Sequence, residues 1–217
     1  MESNWENRKS QSNYHFDNKI IDPAYDTIRY IGRFVGDWET EVKNAITNST
    51  PVNWETRAGK GSVQPELTAE ENDLVRAGAD PKLILTNLEY NLDPVFHSMC
   101  DAIGLDGKQQ RRIHVQFSGQ VFTNHIDKLE KFNPSEPEKI MRFMIMLRDW
   151  EPGHFMEYGN FIHKGWHAGD IYTFDWRNVP HCTANAGLSP RVSILYTGTA
   201  TDQTYNLLNT SNVIIEV

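Results

Sequence analysis

In the second half of the chain, short stretches rich in Ile, Val, Phe, Tyr and Thr alternate with Gly, Pro, Asn and Asp. Apolar and β-branched stretches bounded by turn residues predict strands. We predict eight strands, at 111–117, 120–124, 140–148, 155–158, 161–163, 170–175, 181–184 and 190–199. Many short strands joined by turns favour a sandwich, barrel or jelly roll over a parallel α/β sheet.

The first half of the chain shows helical spacing instead. Asp22-Pro23 has the residue types that begin a helix, and apolar residues follow it at Ile28, Ile31 and Val35. A second short helix is predicted to be capped by Asp37 and to carry Trp38, Val42 and Ile46.

Two further helical segments precede the strands. Thr68 and Glu71 have capping-box spacing ahead of a short segment that ends near Gly78. The clearest helix begins at Asp93-Pro94 and ends at Gly104. We expect its apolar stripe to face the core; the stripe comprises Val95, Phe96, Met99, Cys100 and Ile103.

These patterns predict a mainly β protein with N-terminal helices. Residues 1–18 are polar and predict a flexible tail. Residues 19–217 are predicted to form a single domain, with a helical support over about 19–109 and a β-barrel core over about 110–200.

Composition narrows the function classes. The 217 residues carry a net charge of -8, and their mean hydropathy is -0.57. An acidic chain is a poor binder of duplex nucleic acid, which requires a basic face. No stretch is long and apolar enough for a membrane span or a signal peptide, and two cysteines without ligand spacing indicate a reducing compartment. We therefore predict a cytoplasmic protein without membrane contact; its oligomeric state stays open.

The candidate chemistry begins at His125-Ile126-Asp127, directly after an apolar strand. Residues i and i+2 of an extended chain project from the same face, so this imidazole and carboxylate can take adjacent positions around one ion. A second histidine from another strand would complete a facial triad, which leaves positions open for a co-substrate and O2 at Fe(II). A similar motif, His15-Phe16-Asp17, lies in the polar tail, and we expect no metal there.

The second histidine is predicted to be His181, with Arg191 ten residues later and Ser193 two residues beyond it. Arg191 and Ser193 share a face of their strand, so a guanidinium group and a hydroxyl can bind one carboxylate together. The intervening residues 185–190 are typical of a turn.

Together these motifs resemble the Fe(II)/2-oxoglutarate-dependent oxygenases over about residues 110–200. The resemblance implies a double-stranded β-helix, the jelly-roll or cupin-like barrel of that family. It implies that Fe(II) is bound by His125, Asp127 and His181. Arg191 and Ser193 would bind the distal carboxylate of the co-substrate 2-oxoglutarate.

The resemblance also implies the reaction. O2 and 2-oxoglutarate would be consumed with release of CO2 and succinate, and no general base would be needed. A carboxylate at Asp127 implies hydroxylation or a related oxidation, since the family's halogenases have a small residue there. The substrate would be a small molecule or a protein side chain. Two alternatives stay open: a cupin-type metal enzyme without 2-oxoglutarate, which would have no use for Arg191, and a non-catalytic metal-binding barrel.

The remaining histidines, arginines and tryptophans are interpreted as having no catalytic role. His114 is interpreted as a satisfied core histidine or a polar wall of the site, and His97 as structural. His154 is expected in a solvated loop, and His163 and His167 at the rim or surface. Solvated positions are expected for Arg142 and Arg148, and packing roles for Trp150, Trp166 and Trp176.

Overall fold

The computed structural model describes residues 28–48, 92–159, 161–210 and 212–217, which contain ten strands and three α-helices. The strands are β1 Arg29–Val35, β2 Asp106–Gln116, β3 Val121–His125, β4 Ile140–Met146, β5 His154–Tyr158, β6 Phe161–His163, β7 Asp170–Thr173, β8 His181–Asn185, β9 Arg191–Thr199 and β10 Val213–Glu216. The helices are α1 Glu39–Asn48, α2 Pro94–Ile103 and α3 Asp202–Asn209. Two short 3-10 helices, Glu130–Phe132 and Pro137–Lys139, lie between β3 and β4.

The strands form two sheets. The larger has the order β10-β1-β7-β4-β9-β2, and the smaller has the order β3-β8-β5-β6. From β2 to β9 the chain passes repeatedly from one sheet to the other, and all pairings among these strands are antiparallel. This arrangement is a double-stranded β-helix, so the predicted fold class is confirmed. All eight predicted strands are present, with ends that differ by a few residues.

Strand β4 separates two apolar cores, because successive side chains of a strand point to opposite faces. Phe143 and Ile145 belong to the core between the larger sheet and the helices. Met144 and Met146 belong to the core between the two sheets. The second core also contains the buried Trp166 and Trp176, with Trp150 packed against it, which agrees with their predicted packing roles. The candidate site lies among the polar residues of this inter-sheet space.

Helices α1 and α2 are those predicted. The backbone N–H of Glu39 donates to the Asp37 carboxylate before α1. Asp93 is the N-cap of α2, with Pro94 in its first turn. Gly104 ends the helix at φ 77, in the left-handed region that favours glycine. The predicted apolar stripe of α2 packs in the core between the helices and the larger sheet.

The helix predicted through Ile28, Ile31 and Val35 is wrong, since residues 29–35 form strand β1. A register shift between Tyr30 and Gly32, in the pairing with β7, interrupts the alternation of the strand. The resulting apolar spacing resembles that of a helix. Long-range pairing with β7 and β10 determines the backbone here, which local spacing could not reveal.

Two elements near the C-terminus were not predicted. Helix α3 has a capping box, in which the side chain of Thr201 accepts from the backbone of Thr204 and the Thr204 side chain from that of Thr201. Strand β10 is the parallel partner of β1 at the sheet edge. The predicted tail, the Asp22-Pro23 helix start, His15-Phe16-Asp17 and the 68–78 segment lie outside the described residues. No helix among the described residues is long and apolar enough to cross a membrane. Both cysteines are free.

Candidate metal centre

His125, Asp127 and His181 converge at one end of the smaller sheet. His125 ends β3 and His181 begins β8, and the two residues are direct partners across these strands. Nε2 of His125 lies 3.7 Å from Oδ1 of Asp127, and Nε2 of His181 lies 3.6 Å from Oδ2. The three ligand atoms all lie within 4.8 Å of one another. The structure therefore brings together the three residues that the sequence motif singled out.

The ring of His181 is held in one orientation. Its Nδ1 lies 3.2 Å from the carbonyl oxygen of Val179, which can only accept, so Nδ1 donates and the lone pair of Nε2 faces Asp127. Phe174 and Tyr158 pack on the ring, with centroids 4.8 and 5.8 Å away. Burial, together with the neighbouring His125, lowers the pKa of His181 to about 3. The imidazole is thus neutral at physiological pH, the form that binds metals.

Asp127 is held by an arginine. Nη1 of Arg142 lies 3.0 Å from Oδ2 of Asp127, and both side chains are about nine-tenths buried. Burial alone would raise the pKa of Asp127, but Arg142, His181 and His125 hold it below its usual value. The prediction of a solvated Arg142 is therefore wrong. On β4 it shares a face with Met144 and Met146, which point between the sheets. Arg148, two residues after the end of β4, is partly exposed and pairs with Glu39.

These residues fit a divalent ion such as Fe(II). Two imidazoles and one carboxylate are the donor set of a facial triad, which leaves other coordination positions open. Oδ2 of Asp127 is buried; it pairs with Nη1 of Arg142 at 3.0 Å and faces Nε2 of His181 at 3.6 Å. Nitrogen and oxygen ligands approach such ions to roughly 2.0–2.2 Å, so separations of 3.6–3.7 Å need only small side-chain rotations. Within the described ranges, no other group of three or more His, Cys, Asp or Glu side chains has metal-binding geometry.

Arg191 is the second arginine of the inter-sheet space, and 4% of its surface is exposed. Its Nε and Nη2 donate to Oε1 of Gln116, at 3.0 and 2.9 Å, and Nη2 also reaches the Thr183 hydroxyl at 3.3 Å. Among the described residues, Nη1 donates only to the sulfur of Met156, at 3.5 Å. Burial lowers the pKa of Arg191 to about 10. Among the described residues, no carboxylate balances this charge.

Ser193 and His114 lie opposite each other on β9 and β2. Ser193 is 1% exposed, two residues from Arg191 on the same strand face. Nε2 of His114 is buried without a partner among the described residues, so the interpretation as a satisfied core histidine is wrong. Burial lowers the pKa of His114 well below its usual value. His114 is thus a neutral polar group in the inter-sheet space.

Three other histidines complete the comparison with the predictions. His154 was expected in a solvated loop, but it is 1% exposed on β5, and its Nε2 lies 3.0 Å from the Ser189 carbonyl oxygen. His163 was expected at the rim, but it is 6% exposed and packs on Trp166 and Tyr172. His167 is exposed, as expected. Both errors concern short strands of the smaller sheet that are covered by the larger sheet. The local sequence does not show that a second sheet packs there.

The sequence motifs missed three residues of the site: Arg142, Gln116 and Thr183. None belongs to a recognisable motif, since each acts through contacts with a distant strand. The available clue was strand alternation. Gln116 lies two residues from His114, and Arg142 lies two from Met144, so both share faces with inward-pointing residues.

No protein-family model matches this sequence, and no curated protein matches it either. Similar solved structures include a Pseudomonas putida prolyl-4-hydroxylase, with 14% identity, a TM-score of 0.49, and coverage of 85% of this chain and 98% of that one. A Trichoplax adhaerens prolyl hydroxylase, solved with a hypoxia inducible factor peptide, has 14% identity, a TM-score of 0.47 and coverages of 95% and 97%. The non-haem α-ketoglutarate-dependent carbocyclase SnoK from nogalamycin biosynthesis has 12% identity, a TM-score of 0.41 and coverages of 92% and 93%. At such low identities, the role of the site has to be judged from the residues of this chain.

Proposed function

We propose that this protein is an Fe(II)/2-oxoglutarate-dependent oxygenase that hydroxylates a C–H bond of a small molecule or a protein side chain. One observation supports this most: a partly buried His-Asp-His group shares the inter-sheet space with a buried arginine that has no acidic partner among the described residues. His181 and Thr183 project from the same face of β8, about 7 Å apart along the strand, and Thr183 contacts Arg191.

This arrangement suits a small dicarboxylate with a chelating head. One end of 2-oxoglutarate offers a keto group and a carboxylate to a metal, and the other end offers a carboxylate to a guanidinium group. A buried arginine without an anionic partner is costly, so an anionic co-substrate would explain why Arg191 is buried here. Ser193 would contribute a hydroxyl to the same carboxylate. A cupin-type metal enzyme without an oxo acid has no need of this arginine.

Within that reaction the protein residues bind and orient. His125, Asp127 and His181 would hold Fe(II), which supplies O2 activation when bound. Arg142 keeps the Asp127 carboxylate ionised and in place. Phe174 and Tyr158 pack on His181 and exclude water from that side. Overall, the substrate C–H group, O2 and 2-oxoglutarate would give the hydroxylated product, succinate and CO2.

The substrate is proposed only by class. The net charge of -8 disfavours duplex nucleic acid, and nothing in the described residues indicates a membrane-bound substrate. Among the similar structures, one prolyl hydroxylase was solved with a peptide and SnoK comes from small-molecule biosynthesis. A cytoplasmic location and a single domain over residues 19–217 remain predictions.

The test is an anaerobic titration of the purified protein with Fe(II) and then with 2-oxoglutarate, followed by visible absorption. We expect one equivalent of iron to bind and 2-oxoglutarate to add a new absorption band. Admission of O2 should then release succinate, and a substrate library should increase its yield. Iron binding without 2-oxoglutarate binding would favour the cupin-type enzyme. Binding of both without succinate release would favour a non-catalytic barrel.

A further inference from the structure

Gln116 connects the two sheets directly behind Arg191. It is 3% exposed and lies opposite Arg191 in the pairing of β2 with β9. Its Nε2 donates to both oxygens of Thr183 on β8, the carbonyl at 3.2 Å and the hydroxyl at 3.1 Å. Its Oε1 accepts two hydrogen bonds from Arg191. The amide therefore has a partner at each end.

The orientation of this amide is determined by chemistry. The carbonyl oxygen of Thr183 can only accept, so the nitrogen of Gln116 must face it. The oxygen of Gln116 then faces Arg191, whose guanidinium group can only donate. With the amide anchored on β8, the Nε–Nη2 edge of the guanidinium group is taken. What remains is the end that carries Nη1, where the sulfur of Met156 is a weak acceptor.

We propose that Gln116 is a positioning residue: it holds one edge of Arg191 so that the Nη1 end is presented to the distal carboxylate of the co-substrate. The inference rests on the proposed function and adds the residue that orients its anion-binding group. A neutral amide suits this task, because it binds the arginine without cancelling its charge. A carboxylate at the same position would pair with Arg191 and compete with the co-substrate.

The experiment replaces Gln116 by Glu, which has nearly the same shape but carries a charge. It also replaces Gln116 by Met, which has no hydrogen-bond donor and only a weak acceptor. Gln120→Glu is the matched control. Gln120 is also buried, at 7% exposure, and its Oε1 accepts from the backbone N–H of Phe117 at 2.6 Å. None of its contacts within the described residues involves Arg191.

Two ligands are titrated anaerobically into each iron-loaded protein: 2-oxoglutarate, and pyruvate, which has the keto acid but lacks the distal carboxylate. We expect Gln116→Glu to weaken 2-oxoglutarate binding by about thirtyfold or more and to leave pyruvate binding and iron stoichiometry unchanged. Gln116→Met should weaken 2-oxoglutarate binding by roughly three- to tenfold, as for the loss of a neutral hydrogen-bonding partner. Gln120→Glu should bind both ligands as the wild type does.

The outcomes separate the inference from the function on which it rests. Unchanged 2-oxoglutarate binding by Gln116→Glu, with the wild type binding normally, would overturn the inference alone. Equal losses for 2-oxoglutarate and pyruvate in both Gln116 variants would also overturn it, because that result indicates general damage to the site. If Gln116→Glu does not fold, the same ligand comparison on Gln116→Met decides. A wild-type protein that binds iron but not 2-oxoglutarate would refute the proposed function itself.

Discussion

Two buried arginines, Arg142 and Arg191, lie on neighbouring strands of the larger sheet, and they have different partners. Arg142 forms an ion pair with Asp127, whereas within the described part of the chain Arg191 donates only to a neutral amide, a hydroxyl and a thioether. Removing a charge from water costs several kcal/mol unless a partner compensates it. The partner of Arg142 is thus built into the chain, and we infer that the partner of Arg191 is a ligand. This contrast yields predictions that differ for the two arginines.

The largest effect is expected at the metal ligands themselves. His181→Ala should abolish stoichiometric Fe(II) binding while the fold is retained, because the ring sits at the start of β8 beside Asp127. His125→Ala and Asp127→Ala should do the same. Metal content after gel filtration measures the result. The exposed His167→Ala variant should keep one equivalent of iron, as should His15→Ala, which changes the second His-x-Asp motif. An iron-replete His181→Ala protein would contradict the assignment.

The next effect is on stability and separates the arginines directly. Arg142→Met leaves the carboxylate of Asp127 buried without its partner, which typically costs about 3–5 kcal/mol. Arg191→Met removes an uncompensated buried charge, which offsets the loss of its hydrogen bonds to neutral acceptors, so its free energy of unfolding should change by about 1 kcal/mol or less. Urea unfolding of the metal-free proteins measures both values. Equal losses in the two variants would mean that Arg191 has an anionic partner within the protein.

The third effect concerns ligand binding, and here we expect the substitution of Arg191 to have a larger effect than that of Arg142. Loss of one partner of a buried charge pair costs about 2–5 kcal/mol. Arg191→Ala should therefore raise the apparent dissociation constant for 2-oxoglutarate by roughly thirtyfold or more, with little change in iron affinity. Arg191→Lys should fall between, because it keeps the charge but loses the planar fork. Ser193→Ala should cost less.

Arg148→Ala serves as the control for this titration, because that arginine pairs with Glu39 away from the site. It should bind 2-oxoglutarate as the wild type does. If Arg191→Ala also binds it normally, the oxo acid is not held at this residue, and the cupin-type enzyme becomes the better proposal.

The same contrast shows how much of the fold and of the candidate site could be predicted from the sequence. Local patterns predicted the eight strands, because turn residues mark the strand ends. They also identified the candidate site residues His125, Asp127, His181 and Arg191, because the motif is defined by spacing along the chain. The roles of Arg142 and Gln116 depend on which strands become neighbours. Arg142 pairs with Asp127 only because β4 faces the end of β3 across the barrel. Long-range pairing likewise turned the helical spacing of residues 28–35 into strand β1.

The smallest effect concerns His163, another buried polar side chain of the inter-sheet space. Its Nε2 has no partner among the described residues, and burial lowers its pKa to about 4, with Asp170 opposing the shift. The unfolded chain binds a proton at this residue below about pH 6.5, whereas the folded protein does so only near pH 4. Between these values the unfolded state holds more protons, so stability falls as the pH falls. His163→Phe should reduce that slope by up to about 1.4 kcal/mol per pH unit, measured by urea unfolding from pH 4.5 to 7.5. The exposed His167→Ala should keep the wild-type slope, and an unchanged slope in His163→Phe would mean that His163 has the same pKa in the folded protein as in the unfolded chain.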